Sequence, residues 1–144
     1  VDGEYAPSTS ARSRKQVAEF EASGGTRANT MRGYPIVVVT MLGARSGKVR
    51  KVPLMRVEHD GRFLAVASLG GAPRHPEWYH NLRAHPHARV QDGADVVATT
   101  ARELDGEERA LWWERAVAAF PDYAAYQRRT ARQIPVILLE PDGG

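Results

Sequence analysis

Two Asp-Gly dipeptides, Asp60-Gly61 and Asp92-Gly93, constrain the fold of this chain most, because each stands between short runs rich in β-branched residues. Asp-Gly accepts the positive backbone angles that a two-residue hairpin turn requires. Residues 52–57 and 62–67 therefore read as one hairpin, and residues 88–91 and 96–103 as another. Residues 34–41, with Pro35 at the start where a missing N–H is tolerated, and residues 135–140 bring the strands to six. Between them Pro76 and Glu77 open a short helix over 76–84, which Pro86 stops. A longer helix begins at Asp105, read with Glu108 as a capping box, and Ala110, Trp113, Val117 and Phe120 follow helical spacing as its core face. Pro121 breaks it, and a further short helix carries Tyr123 and Tyr126 on one face. Mostly antiparallel strands with helices set to the side give a small α+β barrel, not a doubly wound sheet with regular strand-helix alternation.

A chain of 144 residues has room for one domain with a real core. Residues 1–12 read as a flexible N-terminal arm, within a mobile lead-in that reaches residue 14, and residues 13–144 as a single domain. A short helix over 13–22 follows, with Val17 and Phe20 on one face and Gly24-Gly25 ending it. Arg12, Arg14 and Lys15 offer a weak peripheral foot at a membrane surface, against which Glu19, Glu21 and the small apolar face count. The longest apolar run, residues 36–42, is far short of the roughly 20 needed to span a bilayer. The amino end lacks the apolar core of a signal peptide. With no cysteine, disulfides, thiolate metal sites and a cysteine nucleophile are excluded. That fits a reducing compartment, so the expected location is cytoplasmic, at most peripheral at the inner face of the cell membrane. His75, His80, His85 and His87 lack helical ligand spacing, and no metal site is expected.

The formal charge is only +3, but its placement is uneven. From Ala22 through Val57 there is no Asp or Glu, while Arg27, Arg32, Arg45, Lys48, Arg50, Lys51 and Arg56 all fall in that interval. The stretch from Gly43 to Leu54 holds four of these cations and two glycines between strands. Glycines admit an anion close to the backbone, a turn aims N–H groups at it, Arg forks onto phosphate oxygens, and Ser46 adds a hydroxyl. The plainer alternative is a basic hairpin loop kept soluble by its charges. Gly43-x-x-x-Gly47-Lys48 is too short for a phosphate-binding P-loop, and strand rather than helix follows it. A second dense stretch, residues 68–82, runs from a strand end into a helix. Gly70 and Gly71 allow close approach there and Trp78 offers a flat wall, although Trp78 alone also suits a core and Asn81 a structural hydrogen bond.

Together, Gly43-x-Arg45-Ser46-Gly47-x-x-Arg50-x-x-Pro53-Leu54, Ser68-x-Gly70-Gly71 and Pro76-x-Trp78-Tyr79-x-Asn81-Leu82 resemble the deazaflavin (coenzyme F-420)-dependent nitroreductase and quinone reductase family of actinobacteria. The resemblance runs in register from residue 24 to residue 141, through Gly33-x-Pro35 and Tyr123-x-x-Tyr126. It implies a six-stranded antiparallel split β-barrel of the flavin-binding type with flanking helices, holding 8-hydroxy-5-deazaflavin F-420. It also implies that Arg45, Ser46, Lys48, Val49 and Arg50 surround the phosphate and acidic tail. Pro53, Met55, Ala67, Ser68, Leu69, Trp78 and Asn81 would line the ring and ribityl chain. Met55, Phe120, Tyr123 and Tyr126 would face the acceptor. The chain departs from the pattern at Arg45 and Leu69, where some relatives carry Lys, and at Phe120, where some carry Tyr.

The implied activity is hydride transfer from reduced F-420 to a quinone or other conjugated or nitro acceptor. Ser68 is then the hydrogen-bond donor to developing charge, and Tyr123, Tyr126 or water the proton source. The alternatives are a split barrel holding FMN or haem, a non-catalytic F-420 carrier, and a polyanion binder. Nucleic acid is disfavoured because the basic loops lack interleaved surface aromatics.

Overall fold

The computed structural model describes residues 1–143. Its central strand is β2 (Tyr34–Leu42), which joins β3 (Val49–Met55) along one edge and β6 (His87–Asp92) along the other. From β6 the sheet continues through β7 (Asp95–Glu103), β8 (Val136–Pro141) and β5 (Arg62–Val66). Two-residue strands, β1 (Thr30–Met31) and β4 (Glu58–His59), extend its margins, and every named pairing is antiparallel. The sheet curls until β3 meets β5, giving the split barrel. The six expected strands are all present, but residues 52–55 pair with β2 and not, as expected, in a hairpin with residues 62–66; the Asp60-Gly61 turn instead joins the two-residue β4 to β5. The second begins at Val49 rather than residue 52, because β2 runs on to Leu42 and offers Arg50 and Lys51 pairing partners.

The apolar runs that identify β2, β5 and β8 are continuous because both faces of each strand are covered. In β2, Val37, Val39 and Met41 point into the barrel, while Ile36 and Val38 lie under α1 (Ala11–Ala22) with Val17 and Phe20. In β5 and β8, Phe63, Ala65, Ile137 and Leu139 fill the barrel. Their alternates Leu64, Val66, Val136 and Leu138 pack against α3 (Gly106–Ala119) and α4 (Asp122–Arg128). The barrel is plugged by Trp78, Tyr79 and Leu82 of α2 (Glu77–Ala84). Each such fully buried side chain contributes about 1.5–3 kcal/mol.

Four local expectations are corrected. The buried face of α3 is set by Trp112 and Ala116, with Trp113 and Val117 only partly buried at its margin and Ala110 exposed. Asp105 makes no side-chain cap, and Glu108 instead forks onto Arg102 at 2.7 and 3.0 Å, so no capping box forms. The lead-in is tied down: Val49 N–H donates to the Glu4 carbonyl and Ala6 N–H to the Val49 carbonyl, adding a parallel bridge at Tyr5 to the edge of β3. Finally, α1 starts at Ala11, and the face that a membrane foot would need, Val17 and Phe20, is 2% and 0% exposed. Its end is a Schellman motif, Gly24 N–H to Glu21 and Gly25 N–H to Phe20, with both glycines at positive φ. Among the described residues no helix is long and apolar enough to cross a membrane.

Candidate active site

The three hydrophobic clusters meet around a cavity of ≈ 670 Å³, within the range of ligand sites. Trp78 contributes one flat wall from the barrel interior, and Pro53, Leu54 and Met55 contribute another from the end of β3. Phe120, Tyr123 and Tyr126 line it as well, with rings that pack edge-on or tilted and centroids 5.0 to 6.2 Å apart. Pro121 places α4 directly after α3, so these three aromatics come to one wall. The Tyr126 hydroxyl oxygen accepts from Arg32 Nη1 at 3.1 Å, and the same guanidinium pairs with Asp122 at 3.2 Å. Burial first, then the neighbouring Tyr126, push the Tyr123 phenol far above its ordinary value, so it stays protonated.

Ser68, 7% exposed, sits where β5 gives way to a tight turn over Leu69–Gly71. Its side chain makes no cap to that turn, and the residue lines the cavity with Leu69 and Gly70. The turn needs positive φ at three successive residues, Leu69 (45°), Gly70 (64°) and Gly71 (84°). For Leu69 this is a left-handed backbone that costs an L side chain about 1–2 kcal/mol. Gly71 is obligatory: a Cβ there would lie 2.7 Å from the Tyr126 carbonyl oxygen. The Ser68 turn and the Tyr126 helix are thus in backbone contact.

The basic loop lies beyond the cavity wall, at the other end of β3. Its backbone is largely committed: Gly43 N–H bonds the Lys48 carbonyl, Gly47 N–H the Gly43 carbonyl, Lys48 N–H the Ser46 hydroxyl, and Ala44 N–H the Asn81 carboxamide at 2.9 Å. Anion recognition there rests on side chains more than on an N–H nest. Lys48 faces Glu4 at 3.5 Å and Lys51 is paired with Glu21 at 2.6 Å. Arg45 and Arg50 appear in no ion pair among the described residues.

Of the residues expected to hold a coenzyme, Pro53, Met55, Ser68, Leu69 and Trp78 share the cavity. Arg45, Ser46, Lys48 and Arg50 form a separate cationic surface. Val49 and Ala67 are core residues, 5% and 0% exposed, and Asn81 orients the basic loop instead of lining the cavity. All four expected acceptor residues, Met55, Phe120, Tyr123 and Tyr126, are on the wall. Sequence reasoning missed the roof, where Arg12, Lys15, Gln16 and Glu19 of α1 cover the cavity beside Met31 and Arg32. Their i, i+3, i+4, i+7 spacing was the available signal for one helix face.

An antiparallel split barrel with a flat-walled cavity and a cationic hairpin on a shared strand is of the flavin-binding split-barrel class. The comparisons narrow that class. The sequence model of the F420H(2)-dependent quinone reductase family matches residues 12–141, and the chain belongs to that family. An F420H(2)-dependent quinone reductase of Mycobacterium tuberculosis (strain ATCC 25618 / H37Rv) is 34% identical over 108 residues, 73% of this chain and 72% of that protein. The solved structure of an F420-H2 dependent reductase is 57% identical with a TM-score of 0.71, covering 74% of this chain and 94% of its own. A further structure, described as a domain-swapped dimer, is 51% identical with a TM-score of 0.74, covering 88% and 96%.

Proposed function

We propose that this chain binds reduced coenzyme F-420 along β3 and directs hydride transfer to a quinone held against Phe120, Tyr123 and Tyr126. The observation that carries this reading is the layout of one strand: Pro53 to Met55 form a cavity wall, while Arg50 begins the cationic end of the same strand. Arg50 and Pro53 stand three positions apart, about 10 Å at the rise of a β-strand. That span suits a ligand with a flat ring at one end and an anionic tail at the other. The residues fit such a group, with Trp78 and Met55 as apolar ring walls and with Arg45 and Arg50, which pair with no carboxylate among the described residues, for the tail.

When bound, the reduced deazaflavin supplies a hydride, since carbon stands where a flavin carries N5. The chain's own residues do the remainder. The Ser68 hydroxyl donates to an oxygen on which negative charge grows. Tyr126, whose oxygen already accepts from Arg32, has its own hydrogen free to turn toward the cavity and hand on a proton. Tyr123 stays protonated and acts as wall and hydrogen-bond donor. Phe120 supplies area without a donor, which favours a planar quinone over a nitro group.

The test is a titration with F-420 and with FMN at rising salt, on the unaltered protein and on Arg50→Glu. F-420 is expected to bind more tightly than FMN, with an affinity that falls as salt rises and with charge reversal. No preference, or an affinity flat in salt and unmoved by Arg50→Glu, contradicts the reading.

A further inference from the structure

Arg132 lies outside the cavity wall and belongs to none of the motifs described above, yet its guanidinium is the most heavily committed in the molecule. Nε donates to the Ala72 carbonyl at 2.9 Å, Nη1 to the Ala67 carbonyl at 3.1 Å, and Nη2 to the Ser68 carbonyl at 2.8 Å. Nη1 also donates to His75 Nδ1 at 3.0 Å, which places the imidazole proton on Nε2. The arginine is itself anchored, because its carbonyl accepts from Gln127 of α4 at 2.8 Å and its N–H bonds Thr130. Arg129 adds a longer bond to the Gly70 carbonyl at 3.4 Å.

These acceptors are the backbone on either side of the turn that strains Leu69. A non-glycine residue persists in a left-handed conformation only where its surroundings over-determine it. Here the over-determination comes from one planar fork that grips residues 67, 68 and 72, while the turn's own bonds are two: Gly71 N–H to Ser68 and Ala72 N–H to Leu69. We infer that Arg132 is a positioning residue, which clamps the Ser68–Ala72 turn and so aims the Ser68 hydroxyl into the cavity. This rests on the reductase reading for what Ser68 does, but the clamp itself does not. A point-charge ammonium cannot reproduce four donors in a fixed fork, so Arg132→Lys keeps the charge and loses the geometry.

Two readouts test it. In the protein without coenzyme, amide exchange of Gly71 and Ala72 is measured in Arg132→Lys, with the amides of β2 and β6 as internal reference. Exchange at the two turn amides should rise about tenfold or more while the reference amides hold. Unchanged turn exchange in the folded variant overturns the clamp, whatever the protein's activity. Quinone reduction is then followed in a cycle of Arg132→Lys and Ser68→Ala. If the arginine acts through Ser68, Arg132→Lys lowers kcat about tenfold in the unaltered background and little in Ser68→Ala, with coenzyme Kd moving less than kcat. Additive losses overturn the link to Ser68 and leave a merely structural arginine. An unaltered protein without quinone reductase activity contradicts the functional reading, while the exchange arm still decides the clamp. Should Arg132→Lys fail to fold, Arg132→Gln removes the fork with a shorter uncharged side chain, and the exchange of Gly71 and Ala72 is read in that variant instead. Turn exchange unchanged in that folded variant also overturns the assignment.

Discussion

Gly71→Ala is the substitution whose cost the structure defines best. At φ +84° an alanine adopts the left-handed region at about 1–2 kcal/mol. Its Cβ would stand 2.7 Å from the Tyr126 carbonyl oxygen and 2.9 Å from Arg129 Cβ, and overpacking against such rigid atoms adds about 1–3 kcal/mol. The neighbour Gly70 is a built-in control: it also has positive φ, +64°, but a Cβ there meets nothing within 4 Å. Gly70→Ala therefore carries the conformational cost alone, and Gly71→Ala should be less stable by a further 1–3 kcal/mol or so. Urea unfolding of both variants measures the difference. Because the displaced atoms belong to the helix that carries Tyr123 and Tyr126, Gly71→Ala should also raise the quinone KM above that of Gly70→Ala. Equal stability losses, or an unmoved KM in a folded Gly71→Ala protein, would refute the contact between the Ser68 turn and the acceptor wall.

Ser68→Ala should lower turnover about ten- to a thousandfold, with a smaller change in coenzyme affinity, and stopped-flow reduction of a saturating quinone checks it. Phe120→Tyr should raise reduction of a bicyclic nitroimidazole relative to a menadione-type quinone, by about 1–3 kcal/mol if the added hydroxyl pairs a buried acceptor, as steady-state kinetics with both acceptors will show. His75 is held below its ordinary pKa of 6.5, first by burial, then by Arg132, with His80 and Arg83 acting the same way and Glu103 opposing. The unfolded chain therefore binds the extra proton between 6.5 and the lowered folded value, so this contribution to stability is full above 6.5 and falls as pH drops through that window. Urea midpoints from pH 7.5 down to about 5 should show it, with a flatter profile in His75→Gln.

Much of the fold was legible because the signals were local. Asp60 and Gly61 carry φ of 53° and 77°, the paired positive angles that the dipeptide announces, and Gly93 carries 61° at its own turn. The unbroken apolar runs of β2, β5 and β8 reported strands covered on both faces. What was illegible depends on partners far away in the chain. Adjacent tryptophans at 112 and 113 differ by about 100° around a helix, and only the sheet beneath decides that Trp112 goes in. Glu4 to Ala6 pair with β3 chiefly through backbone, with Lys51 over the Tyr5 ring and Lys48 near Glu4 as the side-chain contacts, which leaves little side-chain pattern to read. Arg132 grips carbonyls for the same reason invisibly. Lys15, Gln16 and Glu19 look like an ordinary solvated helix face until the fold turns them over the cavity.

The central claim, that one strand joins an acceptor cavity to an anion-binding loop for reduced F-420, is tested most directly by anaerobic mixing of the protein with reduced F-420 and a menadione-type quinone. Oxidation of the coenzyme is followed by the return of its absorbance, with reduced FMN run in parallel. Saturable, enzyme-dependent quinone reduction with F-420 is expected, with FMN turnover far slower and the F-420 rate at limiting coenzyme reduced in Arg50→Glu. Equal turnover with both donors, or quinone reduction at limiting coenzyme that Arg50→Glu leaves untouched, would contradict it.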